Sequence, residues 1–165
     1  MKIDKLWNGL KRIANGDYVL EGDLISEETI EIDLNDRFVV RGRIQTKKSI
    51  VVRCGIEAGC GIEAGEGIKA GWGIEAGCGI EAGWGIEAGC GIEAGCGIKA
   101  GWGIEAGEGI KAEKFIDVQK RIFAGISVYR TSRDCDKTIR CAELRNGEIC
   151  YGDLTLTKEG KPDEG

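Results

Sequence analysis

The most regular feature of the chain is a six-residue pattern of apolar, charged and glycine positions between Gly55 and Ala112. The pattern runs through ten tandem copies, among them GIEAGC and GIKAGW. So strict a short period predicts a solenoid, because one repeat can bury its apolar side chains only against its neighbours. Isoleucine follows the first glycine of every copy, at Ile56, Ile62, Ile68, Ile74, Ile80, Ile86, Ile92, Ile98, Ile104 and Ile110.

Each copy predicts one short strand and one corner. Isoleucine and alanine alternate with a glutamate or a lysine, and this period of two places the charged side chain outside. The Gly-x-Gly segment predicts the corner, where glycine adopts positive φ and lets successive coils stack closely. Three copies per coil give a triangular prism and two give a flatter, longer one. We favour three, because a two-sided coil would enclose little beyond isoleucine facing alanine.

The six-residue phase continues on both sides of the perfect copies. Counting back from Ile56 gives Ile50, Ile44, Phe38 and Ile32, a miss at Ser26, and then Leu20. Counting forward from Ile110 gives Ile116, Ile122 and Val128. We therefore predict a single domain over residues 1–165, an all-β parallel solenoid spanning 18–130 with perfect hexads at 55–112.

The N-terminal segment 1–16 has a different apolar spacing. Asp4 is suited to cap a helix and Asn15-Gly16 to end one, so we predict a short capping helix over the first coil. Binding to a partner is the alternative role. The helical spacing is carried by Ile3, Leu6, Trp7, Leu10 and Ile13.

The hexad period fails at Asp134 and Arg140. Residues 131–137 are predicted as a polar loop. Asn146-Gly147 separates two segments, 138–145 and 148–156, and is a strong signal for a type I′ β-hairpin. We expect a C-terminal hairpin cap over 131–157 and a solvated tail over 158–165.

The repeat resembles that of the hexapeptide-repeat β-helix proteins. The segment Ile56-Glu57-Ala58-Gly59-Cys60 satisfies their motif of an aliphatic, a small or acidic, two variable and a small residue. Many members of that family are acyltransferases or carbonic anhydrases whose activities depend on histidine, and this chain has none. The resemblance therefore implies the fold and argues against those activities. The repeat is also similar to small repeat proteins of phages and mobile elements, and to bactofilin filament proteins.

Composition offers no catalytic constellation. The 165 residues include 28 glycines and one proline, which excludes a collagen-like chain. We expect no enzyme, no cofactor and no metal. No signal-peptide or membrane-spanning segment is found, which predicts a cytoplasmic protein with reduced cysteines and no membrane partner. Because the last slot of the hexad accepts tryptophan and glutamate as well as cysteine, we interpret its cysteines as small fillers or surface residues. Those cysteines are Cys54, Cys60, Cys78, Cys90 and Cys96.

The negative charge is concentrated in the repeats. The chain carries −5 overall, and residues 55–112 hold nine glutamates against three lysines, a net −6. At three hexads per coil this is one charge per ~2.5 Å, compared with ~1.7 Å in duplex DNA. The first function hypothesis is therefore a DNA-mimic-like inhibitor, for example an anti-CRISPR protein, that occupies a basic, nucleic-acid-binding protein surface. Direct nucleic-acid binding is not expected, and solubility alone is the simpler explanation. The candidate residues are Glu57, Glu63, Glu66, Glu75, Glu81, Glu87, Glu93, Glu105 and Glu108.

Tryptophan supplies a second candidate surface. Trp72, Trp84 and Trp102 share a slot with glutamate, which makes them unusual as core residues. Exposed indoles would anchor a protein interface, and the alternative is packing over the corner glycines. On an 18-residue coil Trp84 and Trp102 stack in one column and Trp72 lies on another side. Two hypotheses stand beside the DNA mimic: a tryptophan-mediated interaction module and a self-assembling filament of bactofilin type. A homodimer is also compatible with the sequence.

Overall fold

The fold is an all-β parallel solenoid. The computed structural model describes residues 1–126 and 136–157, which form 22 strands and no helix. The first half of the strands, in chain order, is β1 (Lys2–Asp4), β2 (Lys11–Arg12), β3 (Tyr18–Leu20), β4 (Leu24–Ser26), β5 (Ile30–Asp33), β6 (Phe38–Val40), β7 (Ile44–Thr46), β8 (Ile50–Val52), β9 (Ile56–Ala58), β10 (Ile62–Ala64) and β11 (Ile68–Ala70). The second half is β12 (Ile74–Ala76), β13 (Ile80–Ala82), β14 (Ile86–Ala88), β15 (Ile92–Ala94), β16 (Gly97–Ala100), β17 (Gly103–Ala106), β18 (Ile110–Ala112), β19 (Phe115–Ala124), β20 (Thr138–Cys141), β21 (Glu143–Tyr151) and β22 (Asp153–Leu156).

Each coil contributes one strand to each of three faces. Face 1 contains β3, β6, β9, β12, β15, β18, β20 and β22. Face 2 contains β4, β7, β10, β13 and β16, and face 3 contains β1, β5, β8, β11, β14 and β17. The long strands β19 and β21 turn from face 2 onto face 3. Strands of the perfect array pair in parallel 18 residues apart, as Glu57 with Glu75, so the prediction of three hexads per coil is confirmed.

The core lies inside this prism. Every repeat isoleucine is buried, and so is every alanine two positions further on. Each isoleucine stacks on the equivalent isoleucine of the next coil, as Ile62 does on Ile80. Burial of an isoleucine side chain contributes roughly 1.5–3 kcal/mol, which makes these ladders the main source of stability.

The corner glycines belong to two classes. A Cβ on Gly65 would lie 2.2 Å from the carbonyl oxygen of Lys47 in the preceding coil, whereas a Cβ on Gly67 would lie 3.4 Å from that of Gly85. The glycine after each alanine is therefore required by close stacking. The expectation of positive φ was wrong for the array, since in the described residues positive φ occurs at Gly16, Gly22, Gly125, Gly147 and Gly152.

The N-terminal capping helix was also a wrong prediction. Residues 2–4 form β1, which pairs in parallel with β5, and β2 pairs antiparallel with β3. Between them the chain turns twice, through hydrogen bonds from the Trp7 N–H to the Asp4 carbonyl and from the Leu10 N–H to the Trp7 carbonyl. Trp7 and Leu10 pack against the core, and Leu6 is exposed. The segment covers the first coil with strands and turns.

The first coil is two residues longer than the others. Leu24 pairs with Ile44 and Ile30 with Ile50, each 20 residues apart. The isoleucine position of this coil is thus held by Leu24 and Ile30, whereas Ser26 and Ile32 occupy the alanine position. The apparent miss at Ser26 is a shift of phase, and the expected assignment of Ile32 to the isoleucine position was wrong.

The predicted C-terminal hairpin is replaced by a further coil. β20 pairs in parallel with β18 and β22, and β21 pairs in parallel with β19. Its inward positions advance by five residues instead of six, and Gly147 forms a corner with φ of 113°. Val128, residues 131–135 of the predicted loop and the tail 158–165 lie outside the described residues. The five-residue positions are Ile139, Leu144, Ile149 and Leu154.

The two glycine classes predict opposite tolerance to alanine. Gly65→Ala should lower the free energy of unfolding by about 1–3 kcal/mol, because the backbone oxygen of Lys47 cannot move aside. Gly67→Ala should cost less than about 1 kcal/mol, since its Cβ meets the Gly85 oxygen at ordinary contact distance. Urea unfolding of the two variants measures the difference. Equal losses would contradict the two-class description.

Candidate functional site

The outward charged positions stack in three columns, one on each face. On face 1, Glu57, Glu75 and Glu93 are in register. On face 2, Glu63 pairs with Glu81, and on face 3, Glu87 pairs with Glu105. The sequence predicted these three alignments correctly. Directly opposed like charges on neighbouring strands are unfavourable, so each column needs compensation.

Lysine and arginine supply that compensation. The Nζ atoms of the three array lysines lie close to glutamate oxygens: Lys69 to Glu87 at 2.6 Å, Lys99 to Glu81 at 2.7 Å and Lys111 to Glu93 at 2.5 Å. On face 1, Arg37 contacts both Glu57, at 3.1 Å, and Glu75. These side chains are about half exposed, so each pair contributes little, roughly 0.2–1 kcal/mol. The columns therefore carry mixed charge along their length.

The two remaining face glutamates are less compensated. Glu63 accepts a hydrogen bond of 3.2 Å from the Gln45 amide, and Glu105 has no ion pair with another described residue. The hydrogen bond with Glu81 raises the pKa of Lys99, which remains cationic. Face 3 thus retains an uncompensated carboxylate at Glu105.

The last slot of the hexad divides into three corner columns, which are linked by backbone hydrogen bonds between coils. The cysteine corner, between faces 1 and 2, contains Cys60, Cys78 and Cys96. The tryptophan corner, between faces 2 and 3, contains Glu66, Trp84 and Trp102. The mixed corner, between faces 3 and 1, contains Cys54, Trp72, Cys90 and Glu108. Sequence reasoning pooled these three columns, although counting by 18 would have separated them.

The tryptophan corner presents two stacked indoles to solvent. The Trp84 and Trp102 ring centroids lie 6.2 Å apart with an interplanar angle of 21°, and the residues are 55% and 60% exposed. Lys120, one coil further on, places its Nζ 4.8 Å from the Trp102 ring centroid. At the other end, Glu66 accepts a hydrogen bond of 2.8 Å from the Ser49 hydroxyl. The indoles thus form an apolar ridge with polar groups at both ends.

Trp72 lies apart from that ridge. It occupies the mixed corner and is 52% exposed, a value close to those of the ridge tryptophans. Its backbone N–H donates to the Cys54 carbonyl of the preceding coil at 3.3 Å. As the sequence predicted, it lies on a different side from Trp84 and Trp102.

A shallow groove runs along face 3 beside the tryptophan corner. Trp102, Phe123 and Val51 give it an apolar lining, and Lys69 and Glu105 add charges. The Val51 side chain is exposed and the Phe123 side chain half-buried. The groove and the ridge together form the largest apolar surface that we find beside the charged columns.

Two cysteines differ chemically from the exposed ones. Burial raises the pKa of the Cys54 thiol to about 11, and burial also raises the pKa of Cys141. Cys60, Cys78 and Cys150 are exposed free thiols, and Cys135 lies outside the described residues. Among the described residues, no group of three or more His, Cys, Asp or Glu side chains is arranged to hold a metal ion.

Comparisons with protein-family models, with curated proteins and with solved structures find no match for this chain. Within the described part of the chain, no helix could cross a membrane. The functional argument therefore starts from the geometry of the faces and corners.

The cysteine environments predict a wide spread of alkylation rates. At pH 8, iodoacetamide should modify Cys54 at least about 100-fold more slowly than Cys60 in the native protein, because Cys54 is buried and its raised pKa leaves little thiolate. Mass spectrometry of quenched samples measures each rate, and urea-unfolded protein is the control in which the rates converge. Native-state labelling of Cys54 as fast as that of Cys60 would contradict the burial described.

Proposed function

We propose that this protein is a non-enzymatic, protein-binding solenoid whose contact surface is the tryptophan corner with the adjoining groove of face 3. The observation that carries the proposal is the stacked, more than half-exposed pair Trp84 and Trp102. Large exposed indoles are costly to keep in water and are enriched among the residues that dominate binding energies.

The rigidity of the corner supports this role. The Trp84 N–H donates to the Glu66 carbonyl at 3.0 Å, and the Trp102 N–H donates to the Trp84 carbonyl at 2.8 Å. A backbone fixed by both neighbouring coils loses little further conformational entropy on binding. Stacking of the two rings limits their rotamers in the same way.

The surroundings indicate the chemistry of the partner. An apolar cleft would receive the two indoles, and Val51 and Phe123 would extend the apolar contact along face 3. Lys120 at one end of the ridge and Glu105 within the groove would contact an acidic and a basic group respectively. The partner is therefore a protein with an amphipathic cleft about two aromatic rings long.

Removal of the ridge tests the proposal. After capture and identification of a partner, Trp84→Ala/Trp102→Ala should weaken its binding by about 2 kcal/mol or more, because both anchors are lost. Trp72→Ala is the matched control, since Trp72 is equally exposed but lies in another corner. Surface plasmon resonance measures the affinities. Unchanged affinity of the double variant, or an equal loss with Trp72→Ala, would reject the tryptophan corner as the contact surface.

A second candidate function is favoured by the face 1 column of Glu57, Glu75 and Glu93. There the acidic surface would occupy a basic, nucleic-acid-binding surface of a protein partner, in the manner of a DNA mimic. The net −6 of residues 55–112 supports it, and the ion pairs with Arg37 and Lys111 reduce the charge available.

Charge removal distinguishes the two candidates. If the acidic surface binds, Glu57→Gln/Glu75→Gln/Glu93→Gln should lower affinity at least about tenfold at low salt, and wild-type affinity should fall steeply between 50 and 200 mM NaCl, as for other charge-driven complexes. Isothermal titration at several salt concentrations measures both effects. Here the tryptophan double variant is the control that should retain the salt dependence. Affinity that is independent of salt and of the three glutamates would eliminate the DNA-mimic function.

A further inference from the structure

The cysteine corner is chemically uniform. In the perfect array its three positions are all cysteine, whereas tryptophan and glutamate are confined to the other two corners. The argument that this slot also accepts tryptophan and glutamate therefore does not apply to Cys60, Cys78 and Cys96. These thiols form a separate ladder on one edge of the prism.

The backbone sets the spacing of the ladder. The Cys78 N–H donates to the Cys60 carbonyl at 2.9 Å, and the Cys96 N–H donates to the Cys78 carbonyl at 2.9 Å. Neighbouring cysteines therefore stand one coil apart, about 4.8 Å, and Cys60 and Cys96 roughly twice as far. Cys60 and Cys78 are exposed and Cys96 is half-buried, so that the ladder is open to solvent.

This spacing is poorly suited to a direct disulfide. A disulfide requires Cβ atoms about 3.5–4.5 Å apart, so two stacked coils would have to approach each other or tilt. The strands on both sides of the corner resist such movement, because β9, β12 and β15 are locked in one register on face 1 and β10, β13 and β16 in another on face 2.

The same spacing suits a two-coordinate metal ion. Metal–thiolate bonds of about 2.3 Å in a linear S–metal–S unit span roughly 4.6 Å, which is close to the rise of one coil. Soft thiolate ligands select Cu(I) among the biological metals. Because the ladder is linear, it brings thiols together in pairs and not in the groups of three that are absent from the described residues.

We propose that the cysteine corner binds a soft, thiophilic ion of the Cu(I) type between adjacent thiolates, with Cys78 shared by the two alternative pairs. Binding releases two protons, one from each thiol, and the bis-thiolate complex carries a charge of −1. Lys114 is the next residue in this column, its N–H donating to the Cys96 carbonyl at 2.8 Å, and it supplies a positive charge at one end of the ladder. This site is independent of the tryptophan corner.

The shared position of Cys78 gives a sharp test. Anaerobic titration of the reduced full-length protein with Cu(I), in competition with bicinchoninate, measures affinity. Cys78→Ser should weaken binding at least about tenfold, or ~1.4 kcal/mol, because it removes both adjacent pairs. Cys60→Ser and Cys96→Ser should each retain a tight site, since one adjacent pair remains. Cys150→Ser, which changes an exposed thiol in the last coil, is the control that should leave binding unchanged.

Spectroscopy tests the coordination itself. X-ray absorption at the copper edge should give two sulfur neighbours per ion in the wild type and in Cys60→Ser. Circular dichroism verifies that each variant folds, and a variant that does not fold is replaced by the alanine substitution at the same position. Wild-type affinity in Cys78→Ser, equal losses from Cys150→Ser, or three or more sulfur neighbours would each overturn the proposal.

Discussion

The close approach of successive coils at their corners is the constraint on which the rest of the structure depends. A Cβ after each repeat alanine would overlap a carbonyl oxygen of the preceding coil, as at Gly83, where the distance to the Gly65 oxygen would be 2.1 Å. With glycine there, the hydrogen bonds between coils form at normal length, as from the Gly83 N–H to the Ala64 carbonyl at 3.0 Å. The isoleucine ladders follow from that spacing, because side chains one coil apart are then in contact.

A fixed coil of 18 residues turns a six-residue repeat into six separate columns on the surface. Three columns run along the faces and three along the corners, and each side chain meets mainly the residues above and below it. Charge balance is therefore settled within a column, as where Lys99 pairs with Glu81. For the same reason Trp84 stacks on Trp102, while Trp72, although identical in its local sequence position, lies on another edge.

How far the sequence predicts this structure depends on how strictly it repeats. The array, its register and the side of each tryptophan follow from the period alone. The ends do not, since spacings such as that of Trp7 and Leu10 suit turns over a coil as well as a helix; Asp4, for instance, accepts the Leu6 N–H in a turn. Asn146-Gly147 was misinterpreted because the local signal for a hairpin is also compatible with a corner in a five-residue stride. Long-range pairing decides both cases, and a six-residue count does not include it.

The division between conserved geometry and variable chemistry explains where binding residues can lie. An inward position admits little change, because a larger or smaller side chain would disturb the ladder on both sides. A face position is limited by like-charge contacts, and the ion pairs that stabilise the glutamate columns reduce the acidity available to a basic partner. A corner position has neither restriction, since its side chain leaves the prism between two glycines. The corners can therefore carry indoles on one edge and thiols on another without cost to the fold, and so they are the favoured places for binding chemistry in this protein.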